Sequence, residues 1–368
     1  MSNLKISSDV FTELFVLEAA NNHWGKVERG KKIIQQFGAV VRHNNVKAAI
    51  KFQIRDVVNF IHPDYKGNQE IRYIKKTEAT RLSREDFAVL AEATKKVGCI
   101  AMATPFDEAS VDLCVELEFP IIKIASSDIN DWPLLEKIAT ARKPVIASSG
   151  GASVKSLDDL VSFFLNRNIP LALNHCVSLY PSEDHQLELN QIDFLKNRYP
   201  NLIIGFSSHE YHDWETSMHI SYAKGVRTWE RHIDIDDEGV EVSPYCSRPD
   251  DIDSWFKAFH KAKEMCGASG IERRIMLPEE IKYLDALVRG VFAKVNLEPG
   301  TLIDHSNFNT FFYLAVPLQK GQISTREIIN GIRIINPVKK DSPVKIDMID
   351  GPYSEINELK NLILQRGI

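Results

Sequence analysis

The chain has 368 residues, 44% of them hydrophobic, with 45 Lys and Arg against 50 Asp and Glu for a formal net charge of −5. That length suits a barrel of roughly 250 residues with a smaller unit beside it, and the acidic balance argues against a dedicated nucleic-acid binder. No run approaches the ~18 apolar residues of a membrane span, and the start, MSNLKISSDV, lacks the apolar core of a signal peptide.

Eight short apolar runs each break off into polar residues of the kinds that do chemistry. In chain order they are FVLEAANNH (15–23), AAIKFQ (48–53), CIAMATPFD (99–107), IIKIASSD (121–128), VIASSGG (145–151), LALNHCVSLYP (171–181), LIIGFSSHE (202–210) and VRTWERH (226–232). Runs that are apolar on both faces suit buried parallel strands. Between them, residues 26–42, the stretch LSREDFAVLAEATKKVG, and 107–118, 133–141, 154–167, 186–197, 213–224 and 250–265 carry apolar residues at helical spacings. Ser83 with Asp86 reads as an N-terminal capping arrangement and Gly98 as a stop. Pro120, Pro144, Pro170 and Pro200 stand just before or within two residues of a run, where a helix must have ended.

Eight such units close naturally into a (β/α)8 TIM barrel, an α/β fold whose chemistry sits at the C-terminal strand ends. The competing architecture is an open doubly wound sheet, but no GxGxxG follows the first run. The loop 55–82 is long and charged, as lids on the catalytic side often are. The alternation stops near residue 266, so the barrel is assigned to 1–270 and a linker to 271–285. Residues 286–368 predict a small β-rich domain, with turns at Pro299-Gly300, Lys320-Gly321 and Asp350-Gly351 and an amphipathic helix at about 354–366. The five cysteines are odd in number and show no CxxC pair, which suits a reducing cytoplasm.

Lys51 and Lys123 end the second and fourth runs, and Thr104, Ser126, Ser148 and Ser207 end four others, with Gly150 and Gly151 nearby. Ammonium and hydroxyl donors gathered at a barrel mouth suit a small phosphorylated anion. Taken singly, each serine serves equally well as a helix cap. His209 and His232 end adjacent runs, so two imidazoles can share an ion with positions left for water and substrate. That suits Mn2+ or Mg2+ acting as a Lewis acid better than structural zinc. A lone strand-end histidine would be a hydrogen-bonded surface residue. Glu18 and Glu230 end the first and eighth runs, neighbours in a closed barrel. They can bind sugar hydroxyls or move protons, or else form a polar network at the rim. Tyr180 is a sugar-stacking ring or simple packing.

Lined up in order, these motifs resemble the sialic acid synthase family, which condenses phosphoenolpyruvate with an amino sugar. The family's E-I-G-x-N-H-x-G is matched from Glu18 to Gly25, with Asn22 and His23 inside it. Its K-x-Q is Lys51 to Gln53, its T-P-F-D is Thr104 to Asp107, and its K-I-A-S-G-E is Lys123 to Asp128. H-C-x-S-x-Y-P runs from His175 to Pro181, S-D-H from Ser207 to His209, and E-K-H from Glu230 to His232.

The resemblance implies a TIM barrel followed by a β-rich SAF (antifreeze-like) domain. It implies that Lys51, Thr104, Lys123, Ser126, Ser148, Ser178 and Ser207 bind phosphoenolpyruvate, and that His209 and His232 hold the Mn2+ or Mg2+. Glu18, Gln53, Tyr180 and Glu230 would face the sugar, with Glu18, Lys51, Gln53 and Glu230 as the catalytic set. A cytoplasmic homodimer without nucleic-acid or membrane partners is implied as well.

The departures lie at the sugar end. Ala20 and Ser208 replace the family's Gly and Asp, the acidic run expected over 239–247 is missing, and Val316 precedes Pro317 where the family has an Arg. These point to an acceptor other than plain N-acetylmannosamine. A phosphorylated or non-acylated aldose is an alternative; a phosphate would need a further basic site, for which Arg227, Arg231 and Lys320 are candidates. Two other classes remain: a Schiff-base aldolase using Lys51 or Lys123, and a sugar-binding barrel without turnover.

Overall fold

The computed structural model describes residues 8–237, 239–268 and 270–366. It divides after Gly267 into two compact units. In the first unit eight parallel strands close into a barrel in sequence order. They are β1 (Leu14–Ala20), β2 (Lys47–Ile54), β3 (Ile100–Pro105), β4 (Ile122–Ile124), β5 (Val145–Ser148), β6 (Leu171–Cys176), β7 (Ile203–Ser208) and β8 (Thr228–His232). The main crossover helices are α1 (Val27–Asn44), α4 (Arg84–Lys96), α5 (Glu108–Glu116), α6 (Trp132–Thr140), α7 (Val154–Asn166), α8 (Asn190–Arg198), α9 (Trp214–Ala223) and α10 (Pro249–Cys266). All eight runs became strands, and the doubly wound alternative is excluded by the β8–β1 pairing, which sets Glu18 opposite His232.

Period two along each strand sorts the side chains. Outward residues pack under the helices, and the closing seam is aromatic. Phe15 stacks on Trp229 at 5.2 Å between centroids and meets Phe256 of α10 edge-on at 4.8 Å. Inward residues change character along the axis. Leu14, Val16, Ala49, Met102, Ile121, Ile146 and Ala172 fill an apolar floor, plugged from below by Phe11. One step further along the strands the inward positions carry Glu18, Lys51, Thr104, Lys123, Ser148, Asn174 and Glu230, all buried.

Local signals hold where the sequence wrote them. Ser83 accepts from the Asp86 N–H and Asp86 returns the bond, a full capping box on α4, and Gly98 follows with φ +85°. The charged loop 55–82 is more structured than its composition suggests. It holds α2 (Val57–Phe60), a short 3-10 turn and α3 (Arg72–Ala79). Thr77 is the one α3 residue that is buried, so no apolar period marks this helix.

The second unit, from Ala268, has its own core, including Val291, Leu297, Ile303, Phe312, Ile334 and Val344. Its elements are α11 (Pro278–Leu287), β9 (Gly290–Ala293), β10 (Leu302–Ile303), α12 (Phe308–Phe311), β11 (Phe312–Ala315), α13 (Thr325–Ile329), β12 (Ile332–Arg333), α14 (Pro352–Glu355) and α15 (Asn357–Arg366). β9 pairs antiparallel with β11, and β10 with β12. Gly300, Gly321 and Gly351 adopt φ of +95°, +89° and +103° at the expected turns. Two boundaries move. The stretch read as a linker over 271–285 contains most of α11, started by Pro278 with Glu279 and Glu280 in its first turn. The terminal helix begins at Asn357, after an extended Ile356.

Candidate active site

At the C-terminal strand ends the acids and bases interlock. The Lys51 ammonium touches the Glu18 carboxylate, donates to Thr104 Oγ1 at 2.9 Å, and lies 3.6 Å from Glu230 Oε1. Lys123 donates to Ser148 Oγ at 2.7 Å and sits 3.9 Å from the same Glu230 oxygen. Ser207 donates to that oxygen at 3.4 Å. Two lysines and two carboxylates thus balance in charge inside the barrel. Glu230 Oε2 and both amide atoms of Asn174 are buried with no protein partner. Unpaired buried polar atoms cost stability unless a ligand or water meets them.

The field inside the cluster is strong. Burial pulls the Lys51 pKa down to about 7, opposed by Glu230 and reinforced by Lys123. For Glu230 burial works upward, but Lys123 and Lys51 outweigh it and hold the carboxyl below its ordinary range. Glu230 is therefore a carboxylate at neutral pH, while Lys51 titrates there.

Ser126 and Ser178 form a second donor set around the β5–α7 turn. The Gly150 N–H donates to Ser126 Oγ at 3.1 Å. A Cβ at residue 150 would stand 2.2 Å from Ser178 Oγ and 2.8 Å from Ser126 Oγ, so only glycine lets these hydroxyls converge. Gln53 accepts from Arg55 at 3.0 Å and from Asn21 at 3.4 Å.

The two histidines meet. Their ring centroids are 5.5 Å apart with planes tilted by 42°, a spacing that two nitrogens about 2.1 Å from one ion would give. His209 Nδ1 donates to the Val177 carbonyl at 2.9 Å, which leaves Nε2 with its lone pair for a ligand. Burial lowers the His209 pKa to about 4. The His232 pKa lies well below the usual value, first through burial and then through His209 itself. Both rings are neutral at physiological pH, as metal ligands must be. Among the described residues no group of three or more His, Cys, Asp or Glu suits a metal, so the pair would act as two ligands. Tyr180, half exposed, stands 4.0 Å from the His209 ring and 5.3 Å from Tyr245.

A family model described as the NeuB family matches residues 43–271. The chain belongs to the NeuB family. Its similarity to a spore coat polysaccharide biosynthesis protein E from Chromobacterium violaceum spans 92% of this chain and 100% of that one, at 34% identity and a TM-score of 0.87. An N-acetylneuraminate-9-phosphate synthase of Drosophila melanogaster is 29% identical over 66% of this chain and 66% of its own. An N,N'-diacetyllegionaminic acid synthase of Campylobacter jejuni is 24% identical over 81% of this chain and 89% of its own. The likeness to sialic acid synthases that the motifs carry is borne out, and the chain is an enzyme.

Behind this NeuB-family site lies a network that sequence reading missed. Arg231, proposed above for a phosphate, points outside the barrel and is 1% exposed. It pairs with Glu210 at 2.8 Å and donates to Ser208 and Ser247, each at 3.0 Å. Glu210 follows His209 and Arg231 precedes His232, so the pair clamps the two histidine-bearing strand ends together. Glu210 stands two residues beyond Ser208, and Arg231 reaches both. Arg227 is also excluded from the site. It precedes β8 at the floor end, where it donates to the Tyr222 and Val226 carbonyls. Lys320 belongs to the second unit.

Proposed function

We propose that the enzyme condenses phosphoenolpyruvate with an open-chain amino sugar or related aldose, N-acetylmannosamine or a variant hexose derivative, to a nine-carbon 2-keto sugar acid. The observation that carries this reading is the interlocked Lys51–Glu18–Glu230–Lys123 set, ringed by Thr104, Ser148 and Ser207. It offers point charge and hydroxyl donors for a small dianion next to carboxylates that can move protons. C3 of phosphoenolpyruvate bonds to the sugar's aldehyde carbon, whose oxygen takes a proton and becomes a hydroxyl. Water adds at C2, and the tetrahedral centre expels phosphate, leaving the ketone. Lys51 and Lys123 hold the anion, and Ser126 and Ser178 fix its far end. Glu18 and Glu230 are positioned to relay protons between water, aldehyde oxygen and leaving phosphate.

His209 and His232 would hold a divalent ion, Mn2+ or Mg2+. When bound, such an ion would polarise the aldehyde oxygen. In this reading the second unit is an SAF-type domain and the working form is a homodimer in the cytoplasm. The test is phosphate release from phosphoenolpyruvate over a panel of hexoses, hexosamines and their acylated and phosphorylated forms, with and without EDTA. Sugar-dependent release that EDTA abolishes and Mn2+ restores is expected. Absence of release with every sugar removes the proposal.

One observation favours a second reading. An amine with a pKa of about 7, as at Lys51, is what Schiff-base chemistry needs. Borohydride trapping with pyruvate separates the two: a covalent adduct at Lys51 supports an aldolase, and its absence supports the synthase.

A further inference from the structure

Asn174 takes no part in the chemistry above, yet it stands inside the barrel. It lies on β6 in register with Ser148 of β5 and Gly205 of β7. The side chain is fully buried, and neither Oδ1 nor Nδ2 has a protein hydrogen-bond partner among the described residues. An amide left unmet in a protein interior costs stability, and leucine, of nearly the same volume, would carry no such cost here. The residue two positions earlier on the same face, Ala172, belongs to the apolar floor.

The wall beside this amide is shaped to admit it. A Cβ at residue 205 would collide with Asn174 Oδ1 and with Thr228 Cγ2, and would stand 2.8 Å from the Thr228 carbonyl. The amide therefore crosses β7 at its glycine and reaches β8. The hydroxyls around it are turned elsewhere. Thr228 donates to the Leu14 carbonyl at 3.2 Å, Ser148 accepts from Lys123, and Ser207 donates to Glu230 Oε1. Glu230 follows Thr228 by two residues on the inward face of β8, and its Oε2 is likewise buried without a hydrogen-bond partner. Two unmet acceptor oxygens on one side of the barrel, beside the lysines that would hold phosphoenolpyruvate, suit a water. It has two protons to give and lone pairs left over.

We propose that Asn174 is a positioning residue: its Oδ1 and Glu230 Oε2 hold a buried water on the floor side of bound phosphoenolpyruvate, and this water adds at C2. The inference rests on the condensation reading and names the source of its water. With both protons engaged, a lone pair is left to face C2. As the water oxygen bonds to C2, Glu230 takes one proton and returns it to the aldehyde oxygen. The second proton passes from the new C2 hydroxyl to phosphate, which departs with the electron pair of its bond to C2 and leaves the ketone.

The test uses the full enzyme with phosphoenolpyruvate and whichever sugar of the panel releases phosphate fastest. Asn174→Leu keeps the volume and removes the amide. Its kcat should fall about a hundredfold, with the KM for phosphoenolpyruvate within about threefold. The melting temperature should hold or rise, because a costly buried amide is gone. Asn174→Ser keeps a polar group and leaves room for water, and should retain about a tenth of the parent kcat. An unchanged kcat in the leucine variant, or a loss of kcat matched by a fall in melting temperature, overturns the proposal while condensation stands. If no sugar supports turnover, the condensation reading fails instead. A crystal structure of the parent protein then decides the water site, and it does so whether or not the variants fold. Density bonded to both Asn174 and Glu230 upholds the site, and an amide bonded to protein groups alone refutes it.

Discussion

The floor and the rim of the barrel are built from the same strands, yet they obey opposite rules. At the floor, Leu14, Val16, Met102, Ile121 and Ile146 are fully buried and apolar, and each contributes by leaving water. Two residues further along the same strands, Glu18, Lys51, Lys123 and Glu230 are as deeply buried and carry charge. Such groups are tolerated because each is matched by a partner, and removing one strands the other. The floor stabilises and the rim costs stability, which is the expected division where a scaffold holds a pre-organised site.

The contrast can be broken most sharply at Lys123. Lys123→Met should lower the turnover of phosphoenolpyruvate by about a thousandfold or more, and should lower the melting temperature as well, because Glu18 and Glu230 are left with Lys51 alone. A variant that retains a tenth of the activity would remove Lys123 from the chemistry. Arg231→Met tests the clamp behind the rim. Losing one partner of a pair exposed by no more than 1% should destabilise by about 3–5 kcal/mol in chemical denaturation. The double variant with Glu210→Gln should recover part of that loss, and additive effects would deny the coupling.

At the floor, Met102→Ala should cost about 2–5 kcal/mol through the cavity it leaves. The surviving folded enzyme should keep its KM values. A changed KM for phosphoenolpyruvate would show that floor and rim are not separable.

A smaller effect concerns pH. With its pKa near 7, Lys51 is charged below that value and must take up a proton to hold an anion above it. Phosphoenolpyruvate should therefore bind more weakly as pH rises above about 7, by at most tenfold per unit. Lys51→Arg should flatten that profile. Across the same window the unfolded chain holds more protons at this lysine than the folded one, so its burial penalty shrinks and its contribution to stability rises with pH. A steep profile persisting in the arginine variant would assign the titration elsewhere. The smallest effect belongs to Ser83→Ala, which opens the α4 capping box. About 1 kcal/mol of stability should go, with kcat unchanged.

The strand runs, their order and most helices were legible because burial writes itself into periodicity. An apolar run ending in Lys51 or Glu230 announces both a strand and which end of it does chemistry. α3 escaped notice because a helix that buries only Thr77 has no apolar stripe to read. α11 was missed although Pro278 and two glutamates marked its start.

What the sequence determined alone was the barrel, its closure in chain order and the residue types at the strand ends. Those follow from local rules of alternation and capping. The structure decided which charges meet. Arg231 faces away from the cavity into a clamp with Glu210, whereas Arg55 turns to Gln53 beside the Phe106 ring. That sorting depends on which side of a strand a residue faces and which loop folds over it, and both are set by contacts between residues far apart in the chain.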